Sequence, residues 1–241
     1  MKVLIIIPAY NEEKNIKSVC ESLEKVKNKL DFVLDYIVIN DGSIDNTEKV
    51  CKENGLPIIS LIHNLGIGGA VQTGYKYAFK NGYDIAIQFD GDGQHDAEYI
   101  VDLVNPIKDN KADMTIGSRY IADISEFKST KLRQAGIKFL SFILKLTTGK
   151  KIYDMTSGFR AVNKEIIKIF ASNYPSDYPE PETIVEVIKK GYKVKEIPVK
   201  MHERSHGKSS ITPLKSIYYM VKVSYSMVVR SLIERKAKHG K

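Results

Sequence analysis

Short apolar runs alternate with stretches of helical periodicity through the first half of the chain. Lys2–Ile7 is an apolar run ended by Pro8, the pattern of a buried strand. From Glu12 the period changes, and Ile16, Val19, Leu23, Val26 and Leu30 recur at helical spacing. Asp35–Ile39 predicts a second strand, stopped by the turn cluster Asn40-Asp41-Gly42-Ser43. Asp45–Asn54 predicts a helix, Pro57–Ile62 a third strand, and Gly68–Lys80 a helix entered through a glycine-rich turn. Tyr83–Phe89 reads as a fourth strand, Asp96–Asp109 as a helix with Pro106 near its end, and Asp113–Gly117 as a fifth strand.

Strands that alternate with helices and read as continuous apolar runs predict an α/β fold, a mostly parallel sheet covered on both faces. In such sheets ligands bind beyond the carboxyl ends of the strands. The polar clusters Tyr10-Asn11-Glu12, Asp41-Gly42-Ser43 and Asp90-Gly91-Asp92 fall at those ends. The second half is less regular. Leu132–Leu146 predicts a helix with a broad apolar face, a helix starts near Tyr178-Pro179-Glu180-Pro181-Glu182, and Lys193–Val199 predicts a late strand. Thr212–Arg235 predicts a long amphipathic helix, with Lys215, Lys222 and Arg230 on one side and Ile217, Val221, Val228 and Leu232 on another. The chain divides into a body, residues 1–211, and this basic helix, residues 212–241.

Composition narrows the class. The 241 residues suffice for a sizeable core, and 43% hydrophobic with 27% charged residues excludes a wholly disordered chain. Two cysteines, Cys20 and Cys51, make neither a four-ligand zinc site nor a disulfide scaffold, which points to a reducing cytoplasm. Val3–Ile7 is too short for a signal-peptide core, and no uninterrupted apolar stretch is long enough to span a bilayer. From Lys189 onward there are fourteen basic and three acidic residues, a net of +11, while the rest of the chain carries −3. That asymmetry suits a phosphorylated ligand, an anionic membrane surface or a nucleic acid, and it equally suits a solvated helix face. No nucleic-acid-binding motif accompanies it.

Asp90-Gly91-Asp92 sets two carboxylates on a tight turn, with Gln94 and His95 close behind. Mg²⁺ and Mn²⁺ prefer oxygen ligands and commonly bridge carboxylates to substrate phosphates. Acidic turns are common, and the position at a strand end is what gives this one weight. Asp41 suits hydrogen bonding to a base or ribose, and Asp45 suits the cap of the following helix. Gly66-Ile67-Gly68-Gly69-Ala70 is neither a dinucleotide fingerprint nor a P-loop. It either admits a nucleotide to the backbone or is a plain helix-entry turn. Arg160 suits a structural salt bridge as well as a ligand role. Glu180 either orients acceptor groups or simply sits at a helix N-terminus, and His202 and His206 read as loop residues or weak phosphate contacts.

The ordered set Pro8-Ala9-Tyr10-Asn11-Glu12, Asp41-Gly42-Ser43-x-Asp45, Asn64-x-Gly66-x-Gly68-Gly69-Ala70 and Asp90-Gly91-Asp92-Gly93-Gln94-His95 resembles family 2 inverting glycosyltransferases of the GT-A fold. Gly117-Ser118-Arg119, Thr156-Ser157-Gly158-Phe159-Arg160 and Arg204-x-x-Gly207-Lys208-Ser209 look like the dolichol-phosphate mannosyltransferase and polyprenyl-phosphate glycosyltransferase branch. The resemblance implies that Pro8, Ala9, Tyr10, Glu12, Asp41 and Gly69, with Asp90, Gly91 and Asp92, line the site of a UDP- or GDP-sugar. It implies that Asp92 and Gln94 hold Mg²⁺ or Mn²⁺ on the diphosphate. Arg119, Arg133, Arg204 and Lys208 would grip phosphates, and Asp154 would be an active-site carboxylate beside Asp90 and Asp92.

A polyprenyl phosphate acceptor needs little general-base help, because a phosphate monoester with a second pKa near about 6 is largely dianionic at neutral pH. A hydroxyl acceptor would need a base, and Asp154 is the first candidate. A non-catalytic nucleotide-sugar scaffold is the third reading, against which the intact carboxylates count. Relatives in this branch often carry transmembrane helices after the catalytic domain. Here the amphipathic helix Thr212–Arg235 and the apolar Leu132–Leu146 would instead rest on the inner face of the cell membrane, with anchoring by a small membrane partner protein as a variant. Packing on the body or on a second copy of the chain is the alternative.

Overall fold

The computed structural model describes residues 1–121, 131–177, 179–202 and 213–238, apart from the side chains of 131–133, 213–219 and 234–238. Seven strands form one sheet in the order β3-β2-β1-β4-β6-β5-β7. They are β1 Lys2–Ala9, β2 Val33–Asn40, β3 Ile58–Ser60, β4 Ile85–Gln88, β5 Met114–Ser118, β6 Arg160–Asn163 and β7 Val194–Pro198. The helices are α1 Ile16–Lys27, α2 Thr47–Glu53, α3 Gly66–Lys80, α4 Ile100–Lys108, α5 Lys131–Thr148, α6 Lys164–Ser172, α7 Pro179–Lys189 and α8 Pro213–Lys238. A 3-10 turn, Ala97–Tyr99, leads into α4, and Pro106 sits in the last turn of that helix, where it ends rather than breaks the element.

The sheet is parallel except for β6, which runs antiparallel to both β4 and β5. Alternate side chains feed two cores. Leu4, Ile6, Ile37, Ile39, Ala86 and Val162 pack under the face of the sheet that carries Val71 and Tyr75 of α3, Phe170 of α6 and Val185 of α7. Val3, Ile5, Ile7, Val38, Ile87 and Ala161 pack on the other face with Leu23 of α1, Cys51 of α2 and Leu103 of α4. Burial on both faces is why the central strands read as unbroken apolar runs.

Two elements depart from the sequence expectation. β6 and α6 fill a region that the pattern leaves unassigned. β6 is four residues long and begins with a charged residue, so it carries no apolar run. α6 is capped by Asn163, whose side chain accepts from the Ile166 amide at 3.1 Å. The expected cap at Asp45 is displaced by one position: Asn46 is the cap residue, while Asp45 Oδ1 accepts from the Thr47 amide at 2.9 Å and its hydroxyl at 2.5 Å.

Candidate active site

The carboxyl ends of β1, β2, β4 and β5 lie along one edge of the sheet. The reversed β6 brings its amino end to the same edge, with Gln88 paired to Arg160 and Ile116 also paired to Arg160. The first loops are knitted to each other. The Asn11 amide donates to Ser43 Oγ at 3.0 Å, Ile44 donates back to Asn11 Oδ1 at 2.9 Å, and the Glu12 amide donates to Thr47 Oγ1 at 2.9 Å. Asn11 holds a left-handed φ of 58° to make this turn. Pro8 and Ala9 are buried in β1, while Tyr10 stands 47% exposed above them.

Asp41 is buried, and its Oδ1 accepts from the Leu65 amide at 2.7 Å. Burial raises its pKa, an effect the Leu65 and Gly66 amides partly offset. The sequence favours a ligand role for Asp41, yet its carboxylate is engaged in fixing the turn that opens α3. The glycine run there has a structural cause. A Cβ on Gly68 would lie 2.0 Å from the Pro175 carbonyl oxygen, and the Gly68 amide donates to Ser176 at 3.1 Å. The backbone that approaches is the chain's own. Gly69, next to it, is half-buried in the first turn of α3.

The turn after β4 carries the two carboxylates. Asp92 is buried and its Oδ1 accepts from the Gln94 amide at 3.0 Å. Gln94 turns its side-chain nitrogen toward the His202 carbonyl at 3.4 Å, and His202 donates its own amide to the Gln94 carbonyl at 2.9 Å. Asp90 has a third of its side chain exposed. Its amide donates to His95 Nδ1 at 3.1 Å, which assigns the neutral-ring proton to Nε2, 3.6 Å from Asp90 Oδ2. His95 stacks on Phe159 at 4.8 Å. It therefore supports the turn and is not set up as a metal ligand, contrary to the sequence suggestion.

Among the described residues no group of three or more His, Cys, Asp or Glu is arranged to hold a metal alone. The residues present fit a hard cation whose other ligands come from a bound diphosphate: an Asp carboxylate and a Gln amide oxygen, both oxygen donors, on one turn at a strand end.

Asp154 and Arg119 meet at the end of β5. The Arg119 Nε and Nη2 donate to the two carboxylate oxygens at 2.7 Å each, and the Arg119 amide adds a third bond at 3.0 Å. Asp154 is fully buried. Burial works against the Arg119 charge, but the Asp154 bonds and charge outweigh it, and the pKa rises. Asp154 thus faces Arg119, with both carboxylate oxygens engaged by its guanidinium. Behind it, Glu196 accepts from the Tyr153 and Asp154 amides at 2.9 and 2.8 Å. Burial raises the Glu196 pKa against those bonds.

Arg160 makes neither the expected salt bridge nor an open ligand site. It is fully buried and donates to the carbonyls of Ser157 and Glu180 and to Thr183 Oγ1, each within 3.1 Å. The sequence reading passed over Gln88 and Gly158. Gln88 Nε2 donates to Asp90 Oδ1 at 3.1 Å, and a Cβ on Gly158 would sit 2.5 Å from Asp90 Oδ2. A polar residue inside the β4 apolar run was the signal for the first. Arg133 lies in α5 with its side chain outside the described residues, and Arg204, His206 and Lys208 also lie outside them.

Helices α5 and α8 pack together, with Val223, Met227 and Ser231 of α8 buried. Two basic residues of α8 are paired: Lys222 with Asp177 at 2.6 Å on the surface, and Arg230 with buried Glu186 of α7. What faces outward is apolar. Phe142 is 57% exposed and Leu146 66% on α5, and Tyr225 is 73% exposed on α8 beside Val221, Val228 and Leu232. Among the described residues no helix is long and apolar enough to cross a membrane.

Comparison with known proteins agrees with this layout. A sequence model described as glycosyl transferase family 2 matches residues 4–170. A UDP-N-acetylglucosamine–dolichyl-phosphate N-acetylglucosaminyltransferase of Methanococcus voltae is 32% identical, covering 94% of this chain and 98% of that one. A polyprenol monophosphomannose synthase of Mycolicibacterium smegmatis is 26% identical over 88% of this chain and 81% of that one. The crystal structure of glucosyl-3-phosphoglycerate synthase from Mycobacterium tuberculosis, in complex with Mn²⁺, UDP-glucose and phosphoglyceric acid, superposes with a TM-score of 0.72. It is 19% identical and covers 95% of this chain and 79% of that one. That likeness is one of fold.

Proposed function

The chain belongs to the family 2 glycosyltransferases, and from that premise we propose that it transfers a sugar from a nucleotide diphospho-sugar to a polyprenyl phosphate, for use in cell-surface glycan synthesis. The observation that carries the reading is the meeting, on one sheet edge, of the Asp90–Asp92 turn with an arginine locked in place by Asp154. The relatives named for dolichyl-phosphate and polyprenol substrates support the acceptor class.

The parts then take roles. Pro8, Ala9, Tyr10, Glu12 and the α3 entry at Gly69 border the nucleotide, with Asp41 fixing the Leu65 turn. Asp90 faces the donor sugar across Gly91. Asp92 and Gln94 would hold Mg²⁺ or Mn²⁺, which would neutralise charge growing on the departing diphosphate. Arg119, held rigid by Asp154, presents fixed positive charge, as would Arg133, Arg204 and Lys208. A single displacement at the anomeric carbon inverts it, so an α-linked donor yields a β-linked lipid phosphate sugar. The lipid reaches the site from a bilayer on whose cytoplasmic surface the apolar face of α5 and α8 rests.

Nucleotide diphosphate release by the purified chain tests this, with Mn²⁺, undecaprenyl or dolichyl phosphate, and a donor panel. UDP-N-acetylglucosamine is the first donor to try, because the relative covered almost end to end is named for it. Release that requires both metal and lipid phosphate is the expected result. Donor turnover independent of lipid phosphate, or transfer to a hydroxyl acceptor, would overturn the acceptor assignment.

A further inference from the structure

We propose that Glu196 is a positioning residue for the acceptor phosphate, aiming the Arg119 guanidinium by holding the backbone that carries Asp154. This rests on the reading of Arg119 as a phosphate-gripping arginine. Glu196 stands in β7, the last strand of the sheet, opposite Ile116 of β5. Strand alternation turns it to the same face as Val194, which packs on the core that holds Met114 and Ile116. An apolar side chain would suit that position, and the acid there needs a cause. Its two oxygens supply one. Oε2 accepts from the Tyr153 amide at 2.9 Å and Oε1 from the Asp154 amide at 2.8 Å, across 43 and 42 positions of the chain.

Those amides lie in the irregular segment between α5 and β6, whose path no strand ladder or helix sets. Buried Ile152 and Met155 anchor the segment on either side, and Glu196 fixes what lies between them. The Asp154 side chain is fully buried, and its oxygens accept from Arg119 Nε and Nη2 at 2.7 Å each. Thr156 Oγ1, on the same segment, accepts from Nη2 at 3.2 Å. A two-pronged arginine–carboxylate pair is directional. The plane of the guanidinium follows the carboxylate, and the carboxylate follows the backbone that Glu196 grips. Among the described residues Glu196 makes no ion pair, so its charge is met by those two N–H groups. Arg119 itself follows β5, which the reversed β6 separates from β4. Its backbone therefore leaves the sheet two strand spacings, about 10 Å, from the Asp90 turn. The loops of β1 and β2 lie on the other side of that turn. An in-line displacement brings the acceptor from the side opposite the departing diphosphate, which is the side Arg119 flanks.

The experiment is steady-state release of nucleotide diphosphate in Mn²⁺ buffer, with the donor that the panel above selects. Undecaprenyl phosphate is varied at saturating donor, and then the reverse. Wild type is compared with Glu196→Gln, Glu196→Leu, Arg119→Lys and the Glu196→Gln/Arg119→Lys pair. Glu196→Gln keeps the size and one acceptor oxygen but turns an NH₂ group to the second amide, whereas Glu196→Leu keeps neither oxygen. Glu196→Leu should lower kcat/KM for the lipid phosphate about tenfold and Glu196→Gln about threefold, with the donor KM unchanged. Arg119→Lys keeps the charge, loses the planar fork, and should lower the same kcat/KM by about tenfold or more. The pair should fall no further than Arg119→Lys alone, since both changes act through one guanidinium. Equal losses for donor and acceptor, or an additive pair, mark a general loosening of the fold and overturn the inference. Full activity of both Glu196 variants beside an impaired Arg119→Lys overturns it as well. Full activity of Arg119→Lys overturns the reading of Arg119 and the inference together. A wild type that releases no nucleotide, or releases it without lipid phosphate, overturns the acceptor reading and takes the inference with it. Should Glu196→Leu not fold, the nearly isosteric Glu196→Gln and its pair with Arg119→Lys decide the matter.

Discussion

Removing the Asp154 carboxylate should be among the most damaging single changes outside the apolar core. In Asp154→Ala the Arg119 guanidinium, 8% exposed, loses two hydrogen bonds and the carboxylate that faces it, and the Arg119 amide loses a third bond. Breaking a buried pair from one side costs about 3–5 kcal/mol, because an uncompensated charge is left behind. For a chain of this size each kcal/mol moves the unfolding midpoint by about 2–4 °C, so the expected drop is roughly 6–20 °C. The assay is thermal unfolding followed by circular dichroism, with urea unfolding as a second measure. Replacing both partners, as in Arg119→Met/Asp154→Leu, should recover much of the stability and none of the transfer activity, which separates packing from charge. A drop for Asp154→Ala equivalent to under about 1 kcal/mol, the value of an exposed ion pair, would refute the reasoning.

Four further outcomes are expected. Asp92→Ala should keep its unfolding midpoint and lose metal-dependent release by about two orders of magnitude or more, and full retained transfer would remove Asp92 from the metal site. Gly158→Ala should cost about 1–3 kcal/mol by overpacking and raise the donor KM, since its Cβ would lie 2.5 Å from Asp90 Oδ2. For Asp41 the folded-state pKa is raised, so its share of stability is fully present below the ordinary carboxylate range and is lost as pH rises through the folded value. Wild type should thus gain more stability than Asp41→Asn as pH falls from neutrality into the ordinary carboxylate range in paired melts. Phe142→Glu/Leu146→Glu should leave the midpoint unchanged, both side chains being mostly exposed, and reduce sedimentation with liposomes of anionic lipid.

The first half of the chain was legible in the sequence because each of its signals is local. Strands such as Val3–Ile7 are buried on both faces, and a run of apolar residues needs no tertiary context to be recognised. The turns carrying Asp41 and Asp90 sit where such runs stop. The second half resisted for the opposite reason. β6 exists because β4 and β5 present open edges to it, and its own four residues include a buried arginine that no periodicity explains. Arg119 and Asp154 were each visible as candidates, but their mutual bond spans 35 positions and no local pattern reveals it. The partners of Lys222 and Arg230 on α8 were equally invisible, since Asp177 and Glu186 come to them from 45 and 44 positions away.

The reversal of β6 has an architectural consequence. Within the sheet, strands β1, β2 and β4 join β5, which Arg119 follows, and β7, which carries Glu196, through a single antiparallel seam, four residue pairs long, from Ile85–Asn163 to Gln88–Arg160. Each flank can vary its loops without disturbing the ladder of the other. The segment between β5 and β6 returns to the Asp90 turn at its far end, where Gly158 closes against Asp90 and Gln88. The last rung of that seam, Gln88 beside Arg160, is where such variation meets its limit.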